Sequence, residues 1–477
     1  MKRDSHKVSP FAQRARYIIA DLLSGAVAFF AFDIIRYYLL AEYHQGFNDL
    51  WQYLFSTKLI IEQCVVPFVM IFIYWLSGYY NLPFGKSRLQ EIITTFFSAS
   101  INTVLIYLVL LINDQTGRRI INYELIVILF GLLFLIPYLL RITITLFALR
   151  HFRRHSWEFR VLIIGNSVVA RKTAERLMKG PSRVGYNIMG FISIPGENQI
   201  KDGQPVFSLP EVAEKSRQLQ IDQLIIAPEV YDETKVLGIL YHLFPLNIPV
   251  KISPDTLSFV TSGIRLNDIY GEPLIDLTTP ALSESAKNVK RVIDVVLSSV
   301  VLLVLSPLLA IIAIAVKRGS KGPVIYKQER IGLRQKPFNI YKFRSMVTDA
   351  EKNGPRLSAE TDKRVTPVGR IMRKYRLDEL PQFWNVIKGD MSIVGPRPER
   401  EFYIKQIVEK APYYVLVYQV RPGITSWGMV KYGYASNVNQ MVERTRYDLI
   451  YLANMSLYVD AKILIYTVKT VVTGKGV

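Results

Sequence analysis

Two carboxylates stand side by side, Asp378 and Glu379, inside the stretch Arg376-Leu-Asp-Glu-Leu-Pro-Gln-Phe-Trp-Asn-Val-Ile-Lys-Gly389. Such a pair can supply a nucleophile, a general base or oxygen ligands for a hard cation. The neighbouring charges narrow the choice. Arg370, Arg373, Lys374 and Arg376 precede the pair, and Arg397 follows in Gly-Pro-Arg-Pro. A solvated helix start explains an isolated Asp-Glu pair; this density of guanidinium groups points to phosphate, which arginine binds through a planar fork. No histidine follows His242 and the one cysteine is Cys64, so a histidine base, a thiolate and a Cys/His zinc site are all excluded around the pair. Oxygen donors alone suit Mg2+.

These side chains need elements to hold them. Leu380, Phe383, Trp384 and Ile387 recur at helical spacing as one apolar stripe. Proline is tolerated in the first turn of a helix, so Pro381 predicts a helix that begins at about Asp378, its N-cap, and ends at Gly389. Both carboxylates would then sit at the positive end of a helix dipole. Upstream, Pro323–Arg330 and Phe338–Ser345 read as short strands that present Lys327, Arg330, Lys342 and Arg344. From Lys317 to Arg400 basic residues outnumber acidic ones about two to one, with Tyr, Phe and Trp interleaved. That mixture suits a nucleotide or an anionic membrane surface.

The rest of the chain places this region at a membrane. Half of the 477 residues are hydrophobic, yet the formal net charge is +20. Long apolar runs make membrane, rather than nucleic acid, the partner that such a charge implies. Four runs, Tyr17–Leu40, Leu59–Tyr79, Ile92–Ile112 and Tyr123–Phe147, reach the length of about 20 residues that spans a bilayer. The first is too long for a cleavable signal, and its Asp21, Asp33 and Arg36 suggest helix pairing or an interfacial position. Basic residues at the N-terminal arm (Lys2, Arg3, Lys7, Arg14, Arg16), in the second loop (Lys86, Arg88) and after the fourth span (Arg150, Arg153, Arg154) place both ends in the cytoplasm.

Strand and helix patterns then alternate from Phe159 to Ser253, which predicts a parallel sheet. The first turn keeps Gly165, but Ser167 and Ala170 replace glycines of the dinucleotide fingerprint. Pro254 to Asn288 reads as a linker. A fifth apolar run, Val292–Val316, has basic residues at both ends and Ser306-Pro307 near its middle. Both ends can be cytoplasmic only if the run dips in and returns, with Ser306 bonding backbone that Pro307 frees. The alternative is an ordinary kinked span. Ser456–Val472 reads as an amphipathic helix lying on a surface.

Six motifs occur in order: Ser306-Pro307 in an apolar hairpin, Tyr341-Lys-Phe-Arg-Ser-Met346, Leu377-Asp-Glu-Leu380, Lys388-Gly-Asp-Met-Ser392, Gly395-Pro-Arg-Pro398 and Arg421-Pro-Gly-Ile-Thr425. The set resembles the bacterial sugar transferase family, the monotopic polyprenyl-phosphate phosphoglycosyl transferases, from Lys290 onward. Four spans and a Rossmann-like domain in front resemble its long-form members, which start exopolysaccharide, capsule or O-antigen repeat units. The resemblance implies that a UDP-sugar gives its sugar-1-phosphate to undecaprenyl phosphate and releases UMP, with Mg2+ as cofactor. It makes Asp378 the nucleophile, with Glu379 beside it sharing the metal or aiding deprotonation of the acceptor. The family's basic residues fall on Lys342, Arg373 and Arg397 and its C-terminal acidic ones on Asp448 and Asp460; with Arg344 and Arg376 from the basic cluster, these are the substrate-binding candidates.

The fold expected is a four-helix transmembrane bundle (residues 1–155), an α/β Rossmann-like domain (156–284), a re-entrant hairpin (285–320) and a small α/β catalytic domain (321–477). The location implied is the bacterial inner membrane with the catalytic domain in the cytoplasm, and a homodimer is among the partners that an extra soluble domain implies. One departure stands out. Where many members continue Gly-x-x-Gln-Val-x-Gly-Arg-Asn, this chain has Ser426-Trp-Gly-Met-Val-Lys-Tyr-Gly-Tyr-Ala435, which leaves the sugar open between glucose, galactose and a related hexose. Two other readings compete: a membrane-anchored nucleotide-sugar dehydratase or epimerase, which needs a better glycine fingerprint than Ser167 and Ala170 leave, and a non-enzymatic polysaccharide-assembly scaffold.

Overall fold

The computed structural model describes residues 6–7, 9–40, 49–84, 86, 88–111, 119–153, 157–179, 185–197, 199–200, 203–253, 274–280, 282–352, 354 and 362–472. Most of the linker reading and the basic residues Lys2, Arg3 and Arg154 lie outside these. The chain divides into two compact units.

The first unit comprises Met1–Phe159, Met178–Asn187 and Ser283–Val289. Its helices are α1 (Pro10–Leu39), α2 (Leu50–Leu54), α3 (Thr57–Leu76), α4 (Arg88–Ile106) and α5 (Arg119–Arg153). Among the described residues four of these, α1, α3, α4 with the turn that follows it, and α5, are long and apolar enough to cross a membrane. Several of the charges inside them are paired. Arg141 is fully buried and grips Asp21 with two bonds of 2.7 and 2.8 Å. Its third contact is Thr95, and the rings of Tyr74 and Tyr79 stand 3.7 and 3.8 Å from its guanidinium carbon. Further along α1, Arg36 lies between Asp33 and Glu62. The helix-pairing reading of these charges is therefore the one the structure bears out.

A buried pair that loses one partner leaves an uncompensated charge, at a cost of about 3–5 kcal/mol. Arg141→Met should accordingly lower the Tm of the purified protein markedly. Combining it with Asp21→Asn should recover most of that loss, as thermal unfolding in detergent will show.

The second unit comprises Arg160–Leu177, Ile188–Leu282 and Lys290–Val477. It opens with strands β2 (Trp157–Ile164), β3 (Tyr186–Ser193), β4 (Val206–Ser208), β5 (Gln223–Ile226), β6 (Val250–Ile252) and β7 (Ile275–Asp276), following the two-residue strand β1 (His6–Lys7) that pairs with the start of β2. Their order is β4-β3-β2-β5-β6-β7, parallel except for β7. Helices α6 (Val168–Lys179), α7 (Val212–Gln218) and α8 (Glu233–Leu243) provide crossovers, which parallel strands require. This is the Rossmann-like order expected.

The turn after β2 does not resemble an open phosphate cradle. Asn166 exchanges two 3.1 Å hydrogen bonds with Ile200, and Arg171 donates to its side chain at 2.7 Å. Beside it, a cavity of about 90 Å3 is lined by Ile194, Glu197, Glu229, Lys235 and Ile239 among others. Small-molecule sites usually offer about 300 Å3 or more.

The apolar run is helix α9 (Glu284–Val304) followed by α10 (Ser306–Gly319), which meet at a 63° bend. The Ser306 hydroxyl donates to the Leu303 carbonyl at 2.8 Å, the backbone repair expected of it. Ile293, Val296, Leu303, Ile311 and Ile314 stay exposed along the two helices. Ile312 and Val316 pack instead against Phe343 and Met372, with Leu377 and Leu380 at the edge of that cluster.

Polar residues bolt the start of α9 to the C-terminal α/β region. Arg291 donates to the Val386 and Ile387 carbonyls at 2.7 and 2.9 Å, and Asp294 accepts from Ser392 and from the Ile393 N–H. The C-terminal α/β region then runs β8 (Ile325–Ile331), β9 (Pro337–Phe343), α11 (Pro367–Lys374), α12 (Gln382–Lys388), β10 (Ser392–Val394), α13 (Glu401–Lys410), β11 (Gly423–Thr425), α14 (Trp427–Lys431), α15 (Val438–Ala453) and α16 (Leu457–Val472). Strands β8 and β9 form an antiparallel hairpin, whereas β10 and β11 pair in parallel.

Candidate active site

The carboxylates do not cap a helix, which corrects the expectation drawn from Pro381. Leu377–Glu379 forms a single 3-10 turn, Pro381 caps α12, and the helix begins at Gln382. The N–H groups of Glu379 and Leu380 already bond to the carbonyls of Arg376 and Leu377, so the turn has no need of a side-chain cap. Gly389 ends α12 in the left-handed conformation, as expected. The reversal before the turn is made by Arg376 itself at φ 53°. A long side chain in that conformation costs of order 1 kcal/mol or more. The apolar stripe is corrected too. Gln382, Asn385 and Val386 form the buried face of α12, while Trp384 is 53% exposed.

The charges that converge on the turn come from four places in the chain. Lys342, on β9, lies 2.7 Å from Glu379 Oε1. Arg397 reaches the same oxygen at 3.4 Å, and Arg376 reaches Oε2 at 3.4 Å. Burial pushes the Glu379 carboxyl up, but Lys342, Arg397 and Arg376 outweigh it and hold the group well below the usual carboxylate range. Asp378 is placed differently. It is 8% exposed and makes no hydrogen bond with a described residue. Burial raises its pKa, Lys342 opposes that, and the neighbouring negative charge of Glu379 adds to it. Arg373 and Arg376 also favour the ionised form. Arg373 is aimed by Ser345, whose hydroxyl accepts from Nε at 2.9 Å.

Glu379 is thus a fixed anion that gathers cations, and Asp378 is a carboxylate beside them that makes no hydrogen bond with a described residue. Mg2+ can be tested against this donor set. Among the described residues no three His, Cys, Asp or Glu side chains cluster as a cage. One carboxylate with no hydrogen bond to a described residue, beside a second that is already paired, fits an ion that takes most of its ligands from water and substrate phosphate, as Mg2+ does.

Arg397 is held by a junction between two motifs that are separate in the sequence. Gly395 N–H bonds to the Thr425 carbonyl and Gly423 N–H to the Pro396 carbonyl, at 3.0 and 2.9 Å. A Cβ on Gly423 would lie 2.1 Å from Gly395 N, so this approach requires glycine. Below it, the buried Asp448 accepts from Gly428 N–H at 2.9 Å and from the backbone of Arg397. Glu399 is clamped between Arg330 and Arg444.

The remaining predicted residues lie apart from the carboxylate turn. Arg344 donates to Ser320 and to the Lys321 carbonyl, where α10 ends. Asp460 accepts from Lys290 at 2.6 Å and from Tyr451 at 2.7 Å, tying α16 to the start of the hairpin. Sequence reasoning missed two buried amides on α12. Asn385 bonds to β9 at Tyr341 N–H and Asn339 carbonyl. Gln382 is 2% exposed, and its Nε2 has no partner among the described residues. Polar residues on the buried face of a short helix were the available signal.

Residues 285–474 match the family described as bacterial sugar transferase. The chain is also 32% identical to the UDP-glucose:undecaprenyl-phosphate glucose-1-phosphate transferase of Escherichia coli (strain K12) over 66% of this chain and 68% of that protein. The chain belongs to the bacterial sugar transferase family. The site just described falls wholly within the matched residues of this sugar transferase. A UDP-N-acetylgalactosamine-undecaprenyl-phosphate N-acetylgalactosaminephosphotransferase of Aeromonas hydrophila is 41% identical over 48% of the chain and 54% of its own length. The UDP-glucose:undecaprenyl-phosphate glucose-1-phosphate transferase of Xanthomonas campestris pv. campestris is 32% identical, over 69% of each. The chain therefore spans between about half and two thirds of these relatives.

Proposed function

We propose that this chain transfers a sugar-1-phosphate from a UDP-sugar to undecaprenyl phosphate through a covalent intermediate on Asp378. The observation that carries this reading is the contrast between the two carboxylates, Glu379 locked to three cations and Asp378 buried, desolvated and without a hydrogen bond to any described residue. A diphosphate repels an anionic nucleophile unless cations neutralise it. Lys342, Arg373, Arg376 and Arg397 are the groups placed to do so. Asp378 then attacks the sugar-bearing phosphorus. The bond to the bridging oxygen breaks, UMP leaves with that electron pair, and an acyl phosphate remains. The acceptor phosphate oxygen attacks the same phosphorus and frees the carboxylate. Mg2+, bound at Asp378 and Glu379 with the substrate phosphates, would supply further charge neutralisation. Arg344, Asp448 and Asp460 serve by holding the elements that carry these residues.

The hairpin α9–α10 brings the apolar acceptor to the turn, since its inner face packs on Leu377 and Leu380, which flank the pair. The charge of the connecting loops supports a catalytic region on the cytoplasmic side of a bacterial inner membrane. The printed names of relatives include glucose and N-acetylgalactosamine donors. This chain's donor is a hexose or a related sugar, and the product starts a polysaccharide repeat unit. A homodimer completes the proposal, supported by a Rossmann-like domain whose described crevice is small. UMP release on mixing the protein with undecaprenyl phosphate and a panel of UDP-sugars tests it. Silence with every donor would favour a scaffold.

The pH profile gives a finer test. Asp378 must be ionised to attack, and its pKa is raised. The acid limb of kcat/KM should therefore lie above the ordinary carboxylate range of about 4, with activity rising as pH rises through it. Lys342→Met should move that limb to still higher pH, because the ammonium favours the ionised carboxylate.

A further inference from the structure

The hairpin β8–β9 has only two strands, and the outer edge of β9 borders α12. A strand edge that is buried must have its polar groups paired. Asn385 does this with one side chain. Its Oδ1 accepts from Tyr341 N–H at 3.0 Å, and its Nδ2 donates to the Asn339 carbonyl at 2.7 Å. These two groups are what a third strand would have bonded. The same Nδ2 lies 3.3 Å from Asp390 Oδ2. The Asn385 backbone carbonyl accepts from Gly389, Asp390 and Met391 where α12 ends. The residue is fully buried.

The position of this bond matters because of what stands on either side of it. Tyr341 precedes Lys342, whose Nζ lies 2.7 Å from Glu379. Helix α12 starts three residues after Glu379. Carboxylate turn, helix, amide, strand and lysine thus form a closed circuit. We propose that Asn385 is a positioning residue: its carboxamide stands in for a missing strand and sets the height of Lys342 against Glu379, and so the charge felt by Asp378. Only a carboxamide both accepts and donates at this spacing; aspartate keeps the shape and loses the donor. The inference rests on the reading of Asp378 and Glu379 given above.

The test is a double-mutant cycle on the full chain, with kcat and KM for UMP release measured for each variant. Asn385→Ala should lower kcat/KM by about 10- to 100-fold, with the loss divided between kcat and KM as it is in Lys342→Met. Adding Asn385→Ala to Lys342→Met should cost no more than about 2- to 3-fold further, since coupled residues are not additive. A division between kcat and KM unlike that of Lys342→Met, or losses that multiply, would show a merely structural amide and overturn the proposal. If Asn385→Ala does not fold, Asn385→Asp is judged by the same two criteria. Should the wild-type protein release no UMP with any donor, the catalytic reading fails, and the positioning claim is decided by Tm. Non-additive Tm losses for the two variants uphold it, and additive losses reject it.

Discussion

Asp378→Asn is expected to abolish both UMP release and the labelled sugar-phosphate adduct while leaving the fold intact. An amide oxygen is a poor nucleophile, and loss of a covalent nucleophile costs at least about 10^4-fold in turnover. The stability side has the opposite sign. A carboxylate whose folded pKa is raised destabilises the fold wherever it is ionised in the native state, above that raised value. Burial and the negative charge of Glu379 both push Asp378 in that direction. At neutral pH the Tm of Asp378→Asn should therefore equal or exceed that of the wild type. An inactive protein that melts no earlier separates lost chemistry from lost structure. A radiolabelled adduct that survives the substitution would remove Asp378 from the role of nucleophile.

Much of this architecture was legible because its signals are local. An apolar run of about 20 residues identifies a span whatever surrounds it, and the four helices stand where those runs lie. Ser306-Pro307 gave the break in the fifth run, since proline and a backbone-bonding hydroxyl act within one turn. The site was less legible where distant segments decide the outcome. Asp378 has the type and spacing of an N-cap, but its turn bonds its own amides and distant cations set the carboxylates' state. Periodicity found an apolar face on α12, yet the buried face is Gln382, Asn385 and Val386, because the strand beside it offers unpaired polar groups. No local pattern shows that Gly-Pro-Arg-Pro and Arg-Pro-Gly-Ile-Thr are laced together across β10 and β11. The relative duties of Asp378 and Glu379 likewise depend on Lys342, 36 and 37 positions earlier in the chain.

Glu379→Gln should damage the protein in a different way from Asp378→Asn. The amide is similar in shape, but it removes the anion that Lys342, Arg376 and Arg397 all address. Three partly buried cations then lack their common counter-charge, and breaking a buried ionic cluster costs about 3–5 kcal/mol. A carboxylate whose folded pKa is depressed contributes stability above its unfolded value, and loses it as pH falls through the folded one. The Tm deficit of Glu379→Gln should therefore be full at neutral pH and shrink in strong acid, where the wild type also loses the charge. Activity should fall by about 10^2- to 10^3-fold, because the released cations turn to Asp378 and quench its oxygen. The acid limb of the surviving activity should move to lower pH, since Asp378 loses a negative neighbour and gains cations. A limb that moves upward, or a Tm unchanged at neutral pH, would mean that Glu379 is not the anion on which the site is built.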